Sequence, residues 1–505
     1  MKSTSQSGEL GQLGRNAPLR LAGVIVTDLF FLLLALMISR FRGAAGLGSF
    51  ILAVTVFNFL GIVGGLGLKQ GALRYVAFFR GKNDPGRLRS VIRTSLLIGL
   101  GFSAFLGAAL IIRPEWPAIL VFRKPELVPT FRILGIGLPI FTLSVILLSV
   151  VQGFKKIKLQ VLAENIVRPA FALILIVILI GLGAGVNSLI GAWVFSYLLV
   201  VSLCLFWLAR MLPPPAPGPR GGGEIKKLLQ FSLPLLLVSV MHRLLANMDV
   251  MMLGYFSPLA AVGIYGIAAR LSILIAVPLE ALDVIFAPVI AEISGRNEPE
   301  KLGKLYRVSS VWIIWAAAGT FALILILASP LMELFGRNFQ AGEIALVILG
   351  LGQLTQVAVG SAGFLLAMTG HPRVILYNNA AMCVLNFFLN LYLIPRYGIP
   401  GAAIASAVSW SAINLARLAE VKIILGLHPF SRAYWIPWLA LAVSLAIGWT
   451  AGRLAAPELP RLTARGITAL IFSISYGLIL LLFGLRESER IALKRLLRLR
   501  RNQLR

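Results

Sequence analysis

A handful of polar side chains interrupt stretches of this chain that are otherwise apolar, and any chemistry it performs has to be sought among them. Asp28 stands midway along the first apolar run and Asn58 at similar depth in the second; His242, Arg243, Asn247 and Asp249 share a later run, and Arg270, Glu280 and Asp283 the next. In hydrocarbon each ionisable group is costly unless it faces protein or a water-filled cavity. His242 and Asp249, seven residues apart, share one helix face, and Arg243 and Asn247, four apart, share the adjacent one. Both faces should turn from lipid. A guanidinium such as Arg243 or Arg270 stays charged at any working pH and can give paired hydrogen bonds to an oxyanion. A carboxylate such as Asp28 can exchange a proton or bind a cation. Counting ~1.5 Å per residue from the break at 255–259, Asp249 is about 10 Å deep and Arg270 about 15 Å, close enough in depth to pair. Two readings stand: a structural ion pair that neutralises itself, or part of a central cationic site. Arg168, beside Pro169 near a helix end, is expected to snorkel to headgroups, and Glu280 and Asp283 to face a solvated vestibule.

Several chemistries are missing. No P-loop, zinc-type His/Cys cluster or nucleophile motif occurs, and His242, His371 and His428 are scattered. Cys204 and Cys383 fall inside apolar runs with no metal-ligand spacing. No catalytic residue, metal or cofactor is expected, and the pattern argues against an enzyme.

The elements that must position these side chains are set by composition. Of 505 residues 58% are hydrophobic and 13% charged, far from the balance of a soluble domain, and the implied solvent is lipid. Spans of roughly 20 mostly apolar residues are needed to cross a bilayer with every backbone group paired. Fourteen such helices are predicted, at about 19–39, 47–68, 94–112, 133–152, 161–181, 188–209, 228–254, 260–288, 308–329, 343–369, 375–394, 399–416, 433–452 and 466–484. Placing both termini in the cytoplasm puts about 33 of the 47 basic residues in inside segments and about 11 in outside segments, with Arg168, Arg243 and Arg270 deep within helices, as positive loops require. The apolar run after the basic N-terminus has full spanning length and no small-residue cleavage site, so no removable signal is read.

An internal repeat organises the helices. Gly81-Lys82-Asn83-Asp84-Pro85 returns as Gly295-Arg296-Asn297-Glu298-Pro299, and each follows an apolar hairpin with a Gly-x-aromatic triplet, Gly48-Ser49-Phe50 or Gly263-Ile264-Tyr265. The same shift aligns Gly135 and Gly137 with Gly350 and Gly352. An even-numbered, parallel repeat predicts two six-helix bundles, 1–210 and 228–425. A Pro/Gly-rich cytoplasmic linker (211–227) joins them, two extra helices (426–484) follow, and the chain ends in a basic amphipathic tail (485–505). The formal charge of +28 has no soluble domain to present it to nucleic acid; anionic headgroups are the expected partner, at the tail above all.

The segments MDVMMLGYF (248–256), VGIYGIAARL (262–271), LLAMTGHPRVILYNN (365–379) and LNFFLNLYLIPRYGIPGAAIASAVSW (385–410) resemble the polysaccharide-flippase branch of the multidrug, oligosaccharidyl-lipid and polysaccharide exporter superfamily. The resemblance implies an all-α integral membrane protein of about 14 transmembrane helices, with two pseudo-symmetric six-helix bundles, a central cavity and alternating access. It also implies a polyprenyl-pyrophosphate-linked oligosaccharide as cargo, residence in the cell membrane as a monomer, and proton or sodium coupling. By motif position Asp249 and Arg270 match binding positions, with Arg243, His242, Asn247 and Asn58 beside them and cavity cations holding the pyrophosphate. Asp28 looks like the acidic position of helix 1 that some drug-extruding relatives use for ion coupling. Flippases of the peptidoglycan precursor carry several arginines in the inner half of helices 1 and 2, where this chain has only Arg20. Drug exporters of the superfamily usually have twelve helices and no basic tail. A lipid II flippase and a cation-coupled multidrug exporter are the alternatives.

Overall fold

The computed structural model describes residues 3–212, 223–296, 298–455 and 460–484. The middle of the Pro/Gly-rich linker, Asn297 of the second pentapeptide and the basic tail lie outside them. The described chain is helical throughout: α1 (Ser3–Gly64), α2 (Leu68–Gly81), α3 (Pro85–Ile112), α4 (Val128–Gly153), α5 (Ile157–Val161), α6 (Arg168–Gly181), α7 (Val186–Met211), α8 (Gly223–Phe256) and α9 (Leu259–Ile273). There follow α10 (Val277–Gly295), α11 (Pro299–Glu333), α12 (Glu343–Val359), α13 (Ala362–Met368), α14 (Pro372–Tyr397), α15 (Ile399–Leu425), α16 (Ile436–Ala455) and α17 (Arg461–Ile479).

Twelve helices are long and apolar enough to cross a membrane, and the bent pair Leu259–Ile273 and Val277–Asp283 makes a thirteenth. The first of the twelve, Ala22–Gly64, is 43 residues long. At ~1.5 Å per residue that is about twice the hydrocarbon thickness. It is interrupted at Gly43, whose backbone (φ 70°, ψ −174°) is not helical. Read as two spans, it accounts for the fourteenth of the helices seen in the sequence.

Helix boundaries differ from the sequence reading where charge was taken for loop. The basic segment 69–93 is helical over most of its length, in α2 and the first turns of α3. Long basic side chains lie along a helix as easily as in a loop, their stems on apolar surface and their heads in water. The two pentapeptides do the same local work: Gly81 and Gly295 end helices, Asp84 and Glu298 hold the next N-cap positions, and Pro85 and Pro299 open α3 and α11. The Asp84 side chain accepts the Arg87 N–H at 3.0 Å, which satisfies an orphan donor of the first turn. The second helix of each repeat is broken, at 65–67 and at 274–276.

The chain forms two compact units, Met1–Ile267 with Cys383–Ala402, and Ala268–Met382 with Ala403–Arg505. In the first, α3 packs along α4, α4 along α7, and α2 and α8 close on them. Its core gathers Leu68, Val76, Ile146, Val150, Cys204 and Leu228. The glycines of the two triplets meet here: a Cβ on Gly48 would overlap the Leu259 carbonyl oxygen, and one on Gly263 would overlap that of Ala44. Residues one repeat apart thus pack reciprocally at this crossing. In the second unit α16 and α17 pack together against α11, where the Tyr476 hydroxyl donates to the Trp315 carbonyl at 2.8 Å.

Candidate functional site

The first unit holds a cavity of about 240 Å³ lined by both apolar and polar side chains. Asn58 reaches it from α1, Lys69 and Gln70 from α2, Thr142 from α4, Tyr197 from α7, and Ser239 and Arg243, four residues apart, from α8. Glu164 and Arg168 complete the wall. They stand where a π-helical turn, Leu162–Val167, leads into α6 at Pro169. The Thr27 hydroxyl of α1 donates to the Gly23 carbonyl at 3.0 Å, with the Asn165 carbonyl a longer 3.4 Å away. Asn165 also donates to that hydroxyl at 2.9 Å, fixing the turn against α1.

The cavity is cationic, with three basic side chains against one carboxylate. The Arg168 guanidinium lies over the Tyr197 ring at 4.6 Å and the Trp193 ring at 5.7 Å. Stacking on aromatic faces orients a guanidinium and leaves its N–H edge available. Two of its donors, Nε and Nη1, are shielded from solvent and have no hydrogen-bond partner, and the Thr142 hydroxyl is in the same condition. Glu164, Arg168 and Arg243 all act electrostatically on Tyr197, so the charges converge on one spot. Gln70 donates to Ser239 at 3.1 Å, tying α2 to α8. Unsatisfied buried donors on a fixed cation are the condition for holding an oxyanion.

Of the residues singled out from sequence, Asn58 and Arg243 come together here. Asn247 stands one turn beyond, donating its side-chain amide to the Arg243 carbonyl at 3.2 Å. His242 is exposed and outside the cavity lining. Asp249 is buried and accepts from the Tyr265 hydroxyl at 2.7 Å and from the Asn390 amide at 2.8 Å, and Asn390 also donates to Asn386 at 2.9 Å. This carboxylate ties α8, α9 and α14 together. Asp28 is half-buried on α1, next to the Thr27 contact with Asn165. Arg270 is half-buried and belongs to the second unit.

The sequence reading left Arg168 to the headgroups, whereas the structure sets it in the cavity wall; Glu164, Gln70 and Tyr197 were passed over. A signal for two of them was present. Gln160, Glu164 and Arg168 recur every four residues in an apolar segment, one polar stripe on one helix face. Tyr197 sits among aromatic neighbours with nothing in the sequence to set it apart. Among the described residues no group of three or more His, Cys, Asp or Glu could hold a metal ion.

Comparison with known proteins places this geometry. The profile of the family described as polysaccharide biosynthesis protein matches residues 13–294, and the MatE profile matches residues 234–392. A probable low-salt glycan biosynthesis flippase of Haloferax volcanii is 28% identical over 168 residues, 33% of this chain and 35% of that protein. A probable multidrug resistance protein NorM of Pseudomonas putida is 29% identical over 225 residues, 42% of this chain and 46% of the other. The chain thus spans a third to a half of these curated relatives. Among solved structures, the lipid II flippase MurJ in an inward closed conformation superposes with a TM-score of 0.71 at 14% identity, covering 91% of this chain and 98% of that one. An inward-facing multidrug transporter of the MATE family gives 0.63 at 17% identity, over 79% and 98%. At these identities the likeness is one of fold.

Proposed function

The chain belongs to the polysaccharide biosynthesis protein family, within the superfamily of multidrug, oligosaccharidyl-lipid and polysaccharide exporters, and from that premise we propose that it is a flippase for a polyprenyl-pyrophosphate-linked oligosaccharide. Bundles 1–210 and 228–425 would alternate access to the two sides of the cell membrane, with both termini in the cytoplasm. The observation that carries the reading is the cationic cavity, in which Arg168 offers buried, unpartnered N–H donors beside Arg243. A pyrophosphate supplies the paired acceptor oxygens that two guanidinium forks match. The glycan would project into water and the polyprenyl chain into lipid, so that only the charged joint needs a protein site.

Asn58, Gln70 and Ser239 are neutral hydrogen-bonding groups around that joint. Asp249, engaged by Tyr265 and Asn390, would hold α8 in register and so keep Arg243 aimed. Asp28 on α1 would couple the cycle to protons or sodium, and Arg270, from the second unit, would meet the headgroup in one of the alternating states. Release from the cations has to accompany each transit, because a site equally tight in both states would not turn over.

The test is reconstitution of the purified chain into vesicles with a fluorescent polyprenyl pyrophosphate bearing one sugar, its leaflet read by membrane-impermeant quenching. Protein-dependent equilibration between leaflets is expected, and its absence with active, oriented protein would reject the reading. A second reading, cation-coupled drug extrusion, is favoured by the MatE match over 234–392. It predicts protein-dependent movement of a lipophilic cation in the same vesicles, which an excess of fixed positive charge around the cavity opposes.

A further inference from the structure

The first unit carries a further pocket, of about 460 Å³, at the ends of α2, α3, α4 and α7, which shares no lining residue with the cationic cavity. Its floor is apolar: Phe79, Leu88 and Phe154 are buried, and Met211, the last residue of α7, lies beside them. Its rim is basic, formed by the exposed Arg80 and Lys156. The Arg80 guanidinium stands 5.7 Å from the centre of the Phe154 ring. Backbone hydrogen bonds lock the turns that carry these residues, from the Asp84 N–H to the Phe79 carbonyl at 3.1 Å and from the Lys156 N–H to the Val151 carbonyl at 3.3 Å. Asp84, the carboxylate of the lining, is already engaged by Arg87, whose backbone N–H it accepts at 3.0 Å and whose Nε lies 3.4 Å away. Among the described residues Arg80 and Lys156 enter no ion pair.

The internal repeat supplies a contrast. In its second copy Ser294 stands where Arg80 does in the first, Arg296 is held by Glu292 at 2.6 Å, and Lys301 is held by Glu298 at 2.8 Å. Basic charge is thus answered within the chain in one copy and left over in the other. Two cations at the edge of an apolar floor, at the helix ends that the positive loops assign to the cytoplasm, match an anionic amphiphile. We propose that this pocket binds an anionic phospholipid of the cytoplasmic leaflet, its phosphate held by Arg80 and Lys156 and its glycerol and first methylenes laid on Phe79, Leu88 and Phe154. Asn83, whose side chain lines the same pocket, can donate to a further phosphate oxygen. A free phosphate would leave the floor unused, because apolar surface is stabilised only by an apolar ligand. Four helix ends meet at the pocket, so occupancy would stabilise the first unit whatever the cargo.

The site can be tested without reference to any cargo, so its failure is distinct from failure of the flippase reading. The purified full chain, stripped of lipid in detergent, is titrated with dioleoyl phosphatidylglycerol or dioleoyl phosphatidylcholine, and bound lipid is counted by native mass spectrometry. Wild type should bind phosphatidylglycerol more tightly, and Arg80→Gln with Lys156→Gln should weaken that binding about tenfold or more. Arg296→Gln with Lys301→Gln removes the same two charges from the second copy of the repeat and should leave it unchanged. Thermal unfolding should shift upward with phosphatidylglycerol in wild type and in the second pair, and not in the first. If the Arg80 and Lys156 double variant does not fold, the two single variants decide, each with binding a few-fold weaker. An excess of glycerol phosphate should not displace the lipid. Wild-type binding without Arg80 and Lys156, equal loss in the two double variants, or displacement by glycerol phosphate overturns the assignment.

Discussion

Arg168 lines the cavity with two shielded, unpartnered donors, and Arg243 stands in the same wall. A charge-assisted hydrogen bond from a fork is worth about 1.5–3 kcal/mol, so losing one fork should weaken headgroup binding roughly 10- to 100-fold. Arg168→Lys keeps the charge and loses the fork, and flipping in vesicles should fall to within a few-fold of Arg168→Ala while both proteins still insert and fold. Equal flipping in Arg168→Lys and wild type would leave Arg168 only a point charge. Tyr197→Phe, which keeps the ring beneath Arg168, should cost far less than Tyr197→Ala. At this scale the sequence showed that polar residues stand inside the apolar runs. It could not show where Arg168 points, because that depends on the π-helical turn and on the Asn165 amide donating to Thr27, 138 residues away. The environment of Asp249 was hidden for the same reason: Asn390 lies 141 residues further along.

Elements are where sequence periodicity and local signals carried furthest. Apolar runs located the spans, and the pentapeptide repeat marks the same helix-end, N-cap, helix-start sequence in both copies. Breaks inside spans at 65–67, 274–276 and Gly360 were not legible, since apolar residues continue through them and hydropathy is blind to φ. The crossing of α1 and α9 gives a direct stability test. Gly48→Ala places a methyl group on the Leu259 carbonyl, and overpacking of that kind costs about 1–3 kcal/mol. Gly101 on α3 has nothing within 4 Å of a would-be Cβ, so Gly101→Ala should be neutral or stabilise by up to about 1 kcal/mol through helix propensity. Thermal melts of the two detergent-solubilised variants should move in opposite directions or leave only Gly48→Ala lowered. Because Gly48 and Gly263 meet reciprocally, the double alanine variant should lose less than the sum of the singles.

Taken as a whole molecule, the chain is a helical membrane protein with the fold shared by MurJ and the multidrug transporters, and the alternation of basic segments predicts an orientation with both termini in the cytoplasm. Cysteines placed at Asn187 and Ser257 should react with an impermeant thiol reagent from outside intact cells, and one at Lys156 only after permeabilisation. The reverse pattern would invert the topology. The central claim, that the cargo is a lipid-linked oligosaccharide, is tested most directly by depleting the protein and identifying the lipid-linked sugars that build up and the leaflet they face. The account predicts a polyprenyl-pyrophosphate oligosaccharide accumulating on the cytoplasmic leaflet, cleared by the wild-type chain and not by Arg168→Ala with Arg243→Ala. An unchanged glycolipid pool together with lost resistance to lipophilic cations, or accumulation of lipid II alone, would contradict it.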